Sequence, residues 1–373
     1  MSLAALSPIR KKIDRLDNHI LSLLNERLRL VKQIGKLKGQ FTLPFYDPSR
    51  EKKIIARLRR KNSGPLTDEA LRRIFGELFS AARNMVRPLR VAYLGPGGTF
   101  TEQAARQHFG SAPQFVPMST IAEIFEEVED GRVDYGVTPV ENSAEGMVTH
   151  TLDALIRSNL YVVAEEHLRV RLALLSRTSR LGDIREIYSH THGLALASAW
   201  ISRHLPSALL HEVTSTGAAA QMARARRRTA AVASEIAAGA YGLKILATGI
   251  DSTRQNQTRF LVLGKTISPR SGADKTSIAF SLKDRVGALN RVLTCFARHR
   301  INLTRIESRP ARSTRGRTAT VRRPAIRSPF EYVFFVDFLG HVEDPPVRKA
   351  VASVRAECEE LRMFGSFPRN PAL

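Results

Sequence analysis

Between Ser7 and Gln40, apolar residues recur in alternating steps of three and four: Ile13, Leu16, Ile20, Leu23, then Leu30, Ile34 and Leu37. The spacing predicts one long helix with a single apolar stripe. Arg27 occupies the slot between Leu23 and Leu30. A guanidinium on a buried seam needs an anionic partner, because burying an unpaired charge is costly. An acid on a facing helix and a ligand carboxylate both meet that demand. Asp47-Pro48 predicts the start of a second helix, with Asp as cap and Pro in the first position, and Asn62-Ser63-Gly64-Pro65 predicts its end. Thr67-Asp68-Glu69 opens a third helix, which stops before Pro88. One long helix and two shorter ones cannot cover the long seam, so an intertwined dimer is expected.

Beyond Leu89 the pattern becomes short strands alternating with helices, as in an α/β domain. Strands are predicted over 90–94, 133–140, 184–189 and 230–233, and helices over 101–109, 194–204 and 217–227. From Thr276 the order reads βαββαβ, with strands at 276–282, 303–308, 332–339 and 361–365 and helices at 287–299 and 345–360. That order is the ferredoxin-like α+β arrangement. The stretch 311–329 is rich in Arg, Thr, Ser and Pro, holds no acid, and reads as a solvated basic hairpin tip.

At 373 residues the chain exceeds one ordinary core. No apolar run approaches the ~20 residues of a membrane span, and the start has no apolar signal stretch. Cys295 and Cys358 lack metal-type spacing and suggest no disulfide framework. A cytoplasmic protein is expected, without membrane partners. The net charge of +23 first suggests nucleic acid. Residues 1–90, however, carry 21 Lys+Arg against 8 Asp+Glu, residues 91–265 carry 17 against 17, and residues 266–373 carry 20 against 10. A basic excess split around a neutral middle, with no nucleic-acid-binding motif, argues against that partner.

Three polar motifs do not look like core: Tyr93-Leu94-Gly95-Pro96, Pro139-Val140-Glu141-Asn142-Ser143, and Asn256-Gln257-Thr258-Arg259-Phe260. In this order they resemble prephenate dehydratase. With the flanking segments the chain resembles the bifunctional chorismate mutase–prephenate dehydratases, which end in an ACT regulatory domain. The resemblance implies an all-α mutase domain over 1–88, a two-lobed α/β dehydratase domain over 89–266 and an ACT domain over 274–366. It further implies chorismate and prephenate as substrates, phenylalanine as effector, a homodimer or homotetramer, and neither cofactor nor metal.

Chorismate is a dianion whose rearrangement is pericyclic, so a protein helps by holding the compact conformer and placing cations at the breaking ether. The family pattern falls on Arg10, Arg27, Lys38, Asp47, Arg50 and Glu51. By resemblance Arg27 and Arg50, with Arg10 of a second subunit, clamp the carboxylates. Lys38 reaches the ether oxygen and Glu51 the hydroxyl. The third helix departs from the pattern: Ala82 and Val86 stand where a small polar residue and a Gln or Glu are usual. Val cannot donate a hydrogen bond, and one lost preorganised donor costs ~3 kcal/mol. A weakened mutase is expected.

Prephenate loses its ring carboxylate as CO2 and its C4 hydroxyl as water. Aromatisation drives the step, so what is needed is a donor at the departing oxygen and anchors for the side-chain carboxylate. The resemblance assigns the donor to Thr258, with Arg259 as electrostatic partner and Asn256 and Phe260 lining the site. Glu141-Asn142-Ser143 follows a predicted strand and meets a possible helix start, where backbone N–H groups hold anions. Ser215-Thr216 reads either as a helix cap or as a substrate contact. The 95–98 loop lacks the Walker Lys-Ser/Thr and reads as a tight turn. Ser189-His190 matches a family motif that usually continues Pro-Gln, whereas here Thr191-His192 follow.

Gly287-Ala288-Leu289 and Glu307-Ser308-Arg309-Pro310, with Asn302, resemble the phenylalanine-sensing pair of ACT domains. Two rival readings stay open: an arogenate dehydratase, and a non-catalytic amino-acid-binding regulator with a two-lobed cleft.

Overall fold

The computed structural model describes residues 6–40 (38–40 as backbone only), 46–252, 256–310 and 332–370; the basic stretch 311–329 lies outside them. The N-terminal domain is α1 (Leu6–Gln40), α2 (Pro48–Lys61) and α3 (Asp68–Val86). Side chains punctuate the helices as the sequence predicts: Asp47 and Thr67 each accept from the amide three residues on. The α1 stripe finds little cover among the described residues, and Ile13, Leu16 and Leu30 stay 50%, 61% and 53% exposed.

The middle domain opens with β1 (Arg90–Leu94), α4 (Phe100–Phe109), β2 (Gln114–Met118), α5 (Ile121–Glu129), β3 (Tyr135–Asn142), β4 (Gly146–Met147), α6 (Thr149–Arg157) and β5 (Tyr161–Arg169). A second lobe follows: β6 (Ala173–Ser176), β7 (Glu186–Ser189), α7 (Thr191–His204), β8 (Leu209–Glu212), α8 (Thr216–Ala225), β9 (Thr229–Ala233), α9 (Ile236–Tyr241) and β10 (Lys244–Thr248). The chain then returns to the first lobe as β11 (Gln257–Gly264). The first sheet runs β2-β1-β3-β11-β5 with β4 beside β3, and the second runs β10-β6-β9-β7-β8. The expected two lobes are present. β3 extends two residues beyond the predicted 140, through Glu141 and Asn142.

The C-terminal domain is β12 (Asp274–Ser281), α10 (Ala288–Arg298), β13 (Leu303–Pro310), β14 (Tyr332–Leu339), α11 (Pro345–Glu357) and β15 (Glu360–Pro368), in sheet order β13-β14-β12-β15. This is the expected βαββαβ fold. One face of its sheet carries the helices. From the other, Ala279, Phe335, Phe364 and Phe367 share one buried cluster with Val140, Leu152, Leu155, Val162 and Leu261 of the middle domain. The two sheets come so close at Gly365 that an added Cβ would lie 2.5 Å from the Val162 carbonyl oxygen.

The N-terminal domain is anchored to both others. Tyr46 is buried in a middle-domain cluster with Phe109 and Phe260. Its hydroxyl meets His108, whose other ring nitrogen lies 3.0 Å from Glu166. Lys52 donates to the carbonyls of Pro368 and Arg369 at the C-terminal end.

Candidate active sites

Residues 170–172 lie between the lobes of the middle domain beside residues 249–252 and Asn256. Val170 N donates to Asn256 O at 2.9 Å, and Ile250 N to Leu172 O at 3.2 Å. Asn256 and Thr258 therefore stand where the chain enters β11, at the floor of the seam between the lobes. Thr258 lies directly opposite Asn142 of β3. The orientation of the Asn142 amide is fixed, because its Oδ1 accepts from Ala144 N (2.8 Å) and Glu145 N (3.1 Å). Its Nδ2 must then donate, one N–H to Thr258 Oγ1 (2.8 Å) and the other to Asn256 Oδ1 (2.9 Å).

Two consequences follow for the hydrogen-bonding capacity of Thr258 and Asn256. Thr258 Oγ1 already accepts, so its own proton is free to turn elsewhere. Asn256 has spent its oxygen, and its Nδ2 is a buried donor with no partner among the described residues. Thr258 retains 8% exposure at this seam. The opposite wall comes from the second lobe: His192 Nδ1 lies 3.0 Å from Glu145 Oε1, Ser234 Oγ donates to Gly98 O at 2.6 Å, and Tyr241 to Gly97 O at 2.8 Å. His192, an unexpected residue in its motif, clasps the turn that holds Asn142.

Several expectations are corrected here. Glu141-Asn142-Ser143 is no helix start: β3 continues through Asn142 into a turn to β4, and the Ser143, Ala144 and Glu145 amides are spent on Gln257 O and Asn142 Oδ1. Arg259 does not stand beside Thr258. Adjacent strand residues face opposite sides, and Arg259 points backward, buried, to Glu165 (2.9 Å) and to Asp337 of β14 (2.7 Å). Glu141 faces that same reverse side, 3.9 Å from Arg259. Phe260 is 1% exposed in the core beneath, not a wall of the site. Ser215 is a helix cap, accepting from Ala218 N at 3.0 Å. Thr216 follows it in the first turn of α8, where Gly217 abuts the 95–98 loop.

In the N-terminal domain Arg27 stacks its guanidinium over the Phe79 ring at 5.2 Å, and its Nη1 is buried without a partner among the described residues. Burial lowers its pKa against the opposing pull of Glu51. Among the described residues no acid is bonded to it, which leaves this buried donor available. Arg50 and Arg10 are exposed, and Asp47 spends Oδ1 on the α2 cap. Arg10 is 17 residues before Arg27 on one straight helix, roughly 25 Å away, beyond joint reach within a single chain. Glu51 pairs with Arg83 of α3, a residue the motif reading missed, and Arg83 also donates to Phe109 O at 2.7 Å. The Lys38 side chain is outside the described atoms. Val86 packs against Gly35 of α1, where an added Cβ would meet Val86 Cγ1 at 2.4 Å.

In the C-terminal domain Gly287 takes a positive φ of 77° ahead of Ala288 and Leu289 in α10. Ser281 and Arg309 both pair with Val333, which brings the end of β12, leading to Gly287, level with the end of β13, where Glu307, Ser308 and Pro310 lie. Within one chain Asn302 lies at the far end of β13, where its carbonyl accepts from Leu339 N. Arg309 reaches Thr149 O (3.0 Å) and Asp153 (3.2 Å) on α6.

Residues 9–87 match the family model for chorismate mutase type II, residues 91–268 that for prephenate dehydratase and residues 276–356 that for the ACT domain. The bifunctional chorismate mutase/prephenate dehydratase of Aquifex aeolicus is 42% identical over 98% of either chain. The one from Pseudomonas aeruginosa is 38% identical over the same share of each. Among solved structures, the prephenate dehydratase of Arthrobacter aurescens in complex with L-Phe superposes with a TM-score of 0.66 at 33% identity, covering 76% of this chain and 92% of that one.

Proposed function

Since the chain belongs to the bifunctional chorismate mutase/prephenate dehydratase family and carries both catalytic domains, we propose that Thr258 is the group that assists loss of hydroxide from prephenate. The ring carboxylate leaves as CO2, and the electron pair of the broken C–C bond moves through the ring as it becomes aromatic. The C4–O bond breaks at the far end. Thr258 donates its hydrogen bond to that oxygen and relays the proton that completes the departing water. Asn142 feeds an N–H into Thr258 Oγ1, which fixes the direction of the hydroxyl. The free amide N–H of Asn256 is placed to anchor a carboxylate. The observation that carries this reading is the single flip state of Asn142.

In the mutase domain Arg27, Arg50, Lys38 and Glu51 hold chorismate, with Arg10 supplied by a second copy. The open α1 stripe supports that pairing, as a homodimer or a dimer of dimers. With Val86 against Gly35, the second ether donor is lacking and the mutase is weak. L-phenylalanine is the effector, bound where the 287–289 turn meets residues 307–310, and the enzyme works in the cytoplasm. No described helix is long and apolar enough to cross a membrane.

The test supplies chorismate, prephenate and arogenate separately to the full chain and follows phenylpyruvate or phenylalanine. Thr258→Ala is expected to lower prephenate turnover by at least ~10²-fold. Undiminished turnover removes Thr258 from the mechanism, and a preference for arogenate reassigns the substrate.

A further inference from the structure

On the reverse of the strands that carry Asn142 and Thr258 lies a charge cluster, largely buried except at Glu141, that the chemistry above does not use. Its cations are Arg259, Arg305 and Lys275, and its anions Glu165, Asp337 and Glu141. Lys275 donates to Glu165 at 2.8 Å, and Ser277 donates to Asp337. Asp337, Arg305, Lys275 and Ser277 belong to the C-terminal domain; Arg259, Glu165 and Glu141 belong to the dehydratase domain. Glu141 and Arg259 are directly opposite one another, one position along from the Asn142–Thr258 pair. The two pairs therefore share the same backbone on opposite faces of the sheet.

The cluster is unevenly paired. Arg259 Nη1 takes Asp337 at 2.7 Å and stands 3.9 Å from Glu141. Arg305 is held loosely between the same two carboxylates, 3.7 Å from Asp337 and 3.9 Å from Glu141, and its Nη2 is buried without a partner among the described residues. Arg259, Ser277, Arg305 and Asp337 line a cavity of about 10 Å³, room for one water or for a small side-chain shift. A modest advance of Arg305 would let it take Asp337 and release Arg259 towards Glu141. Arg305 lies on β13, two residues before Glu307, on the strand whose end carries the proposed effector motif. A second arm of that strand, Arg309, is already fixed on α6.

We propose that Arg305 is the element through which occupancy of the effector site re-pairs Arg259 and Glu141 and so misaligns Thr258 with Asn142. The inference rests on the phenylalanine reading above. Arg259 and Glu141 are then positioning residues, and the two-state element is the exchange of Asp337 between two guanidinium groups.

The experiment compares the full-length enzyme with Arg305→Gln. Three quantities are read on each: dehydratase kcat/KM, calorimetric binding of L-phenylalanine, and the phenylalanine concentration that halves dehydratase activity. For the variant, binding and basal kcat/KM are expected to stay within about threefold, while the half-inhibiting concentration rises at least tenfold. Binding and inhibition are then uncoupled, which a purely structural role does not produce. Arg305→Lys keeps the charge and is expected to keep inhibition. Should Arg305→Gln fail to fold, judged by loss of its thermal unfolding transition, Ser277→Ala loosens Asp337 and is expected to weaken inhibition in the same direction. A folded variant inhibited as strongly as the parent overturns this inference alone. A parent enzyme that does not bind phenylalanine overturns the effector reading, and the inference with it.

Discussion

Asn142 gives no proton to the reaction, yet its replacement is expected to cost nearly as much as that of Thr258. Its Oδ1 is pinned by two backbone amides, so its Nδ2 can only donate. Asn142→Asp preserves shape and the two amide contacts but turns the donor into an acceptor. Thr258 then spends its hydroxyl proton on the new carboxylate and has none for the leaving oxygen. A fall in kcat of about 10²-fold with KM changed only a few-fold is expected from steady-state rates on prephenate. An equal rise in KM with kcat intact would instead make Asn142 a binding group. At this scale the sequence was legible where a polar motif interrupts apolar strands, as at Thr258 and Asn142. It was not legible for Arg259. Alternation puts neighbours on opposite faces, but β11 is buried on both sides, so no exposed face marks which neighbour looks into the seam. The Asp337 that claims Arg259 lies far along the chain, and its isolation within the apolar run of 332–339 is the signal that could have marked it.

Among the elements, helix boundaries followed from caps that act locally, and the strand order of the C-terminal domain from its alternation. The extension of β3 through Asn142 was missed because polar residues there pair with β11 rather than turning to solvent. The meeting of α1 and α3 carries a prediction. Val86→Gln restores an amide beside the seam that leads to Lys38, and mutase kcat is expected to rise roughly 10-fold in a chorismate-disappearance assay. No change would place the missing donor elsewhere. The segment between α1 and α2 carries another. Tyr46 fills a dehydratase-domain cluster although it belongs to the mutase part of the chain. Burial raises its pKa well above the ordinary value, and the hydroxyl stays protonated against His108. Tyr46→Ala should destabilise the dehydratase domain by ~3–4 kcal/mol. Tyr46→Phe should cost about 1 kcal/mol. Thermal inactivation of dehydratase activity measures both, and equal losses for the two would put the hydroxyl, not the ring, in charge.

For the whole molecule, the middle and C-terminal domains share one apolar cluster and one charge cluster, so they are expected to unfold together. Burial alone would raise the Asp337 carboxyl, but Arg259 and Arg305, with the Ser277 hydroxyl, outweigh it and hold the pKa at about 2. A carboxyl depressed in the folded state stabilises above its unfolded pKa and loses that contribution as pH falls through the folded one. The contribution, on the order of 2 kcal/mol, is therefore complete above pH ~4 and fades towards pH 2. Asp337→Asn should flatten the acid limb of a stability-against-pH curve; an unchanged limb would show that other carboxylates govern it.

The paired crossings between the lobes have one more consequence. A hinge is ordinarily kept away from chemistry, so that flexing and reacting do not interfere. Here the first crossing, residues 170–172, is tied by the Val170 amide to Asn256 itself, two residues before Thr258. Any parting of the lobes at these crossings is expected to strain the Val170–Asn256 bond and, through Asn256, the hold of Asn142 on Thr258.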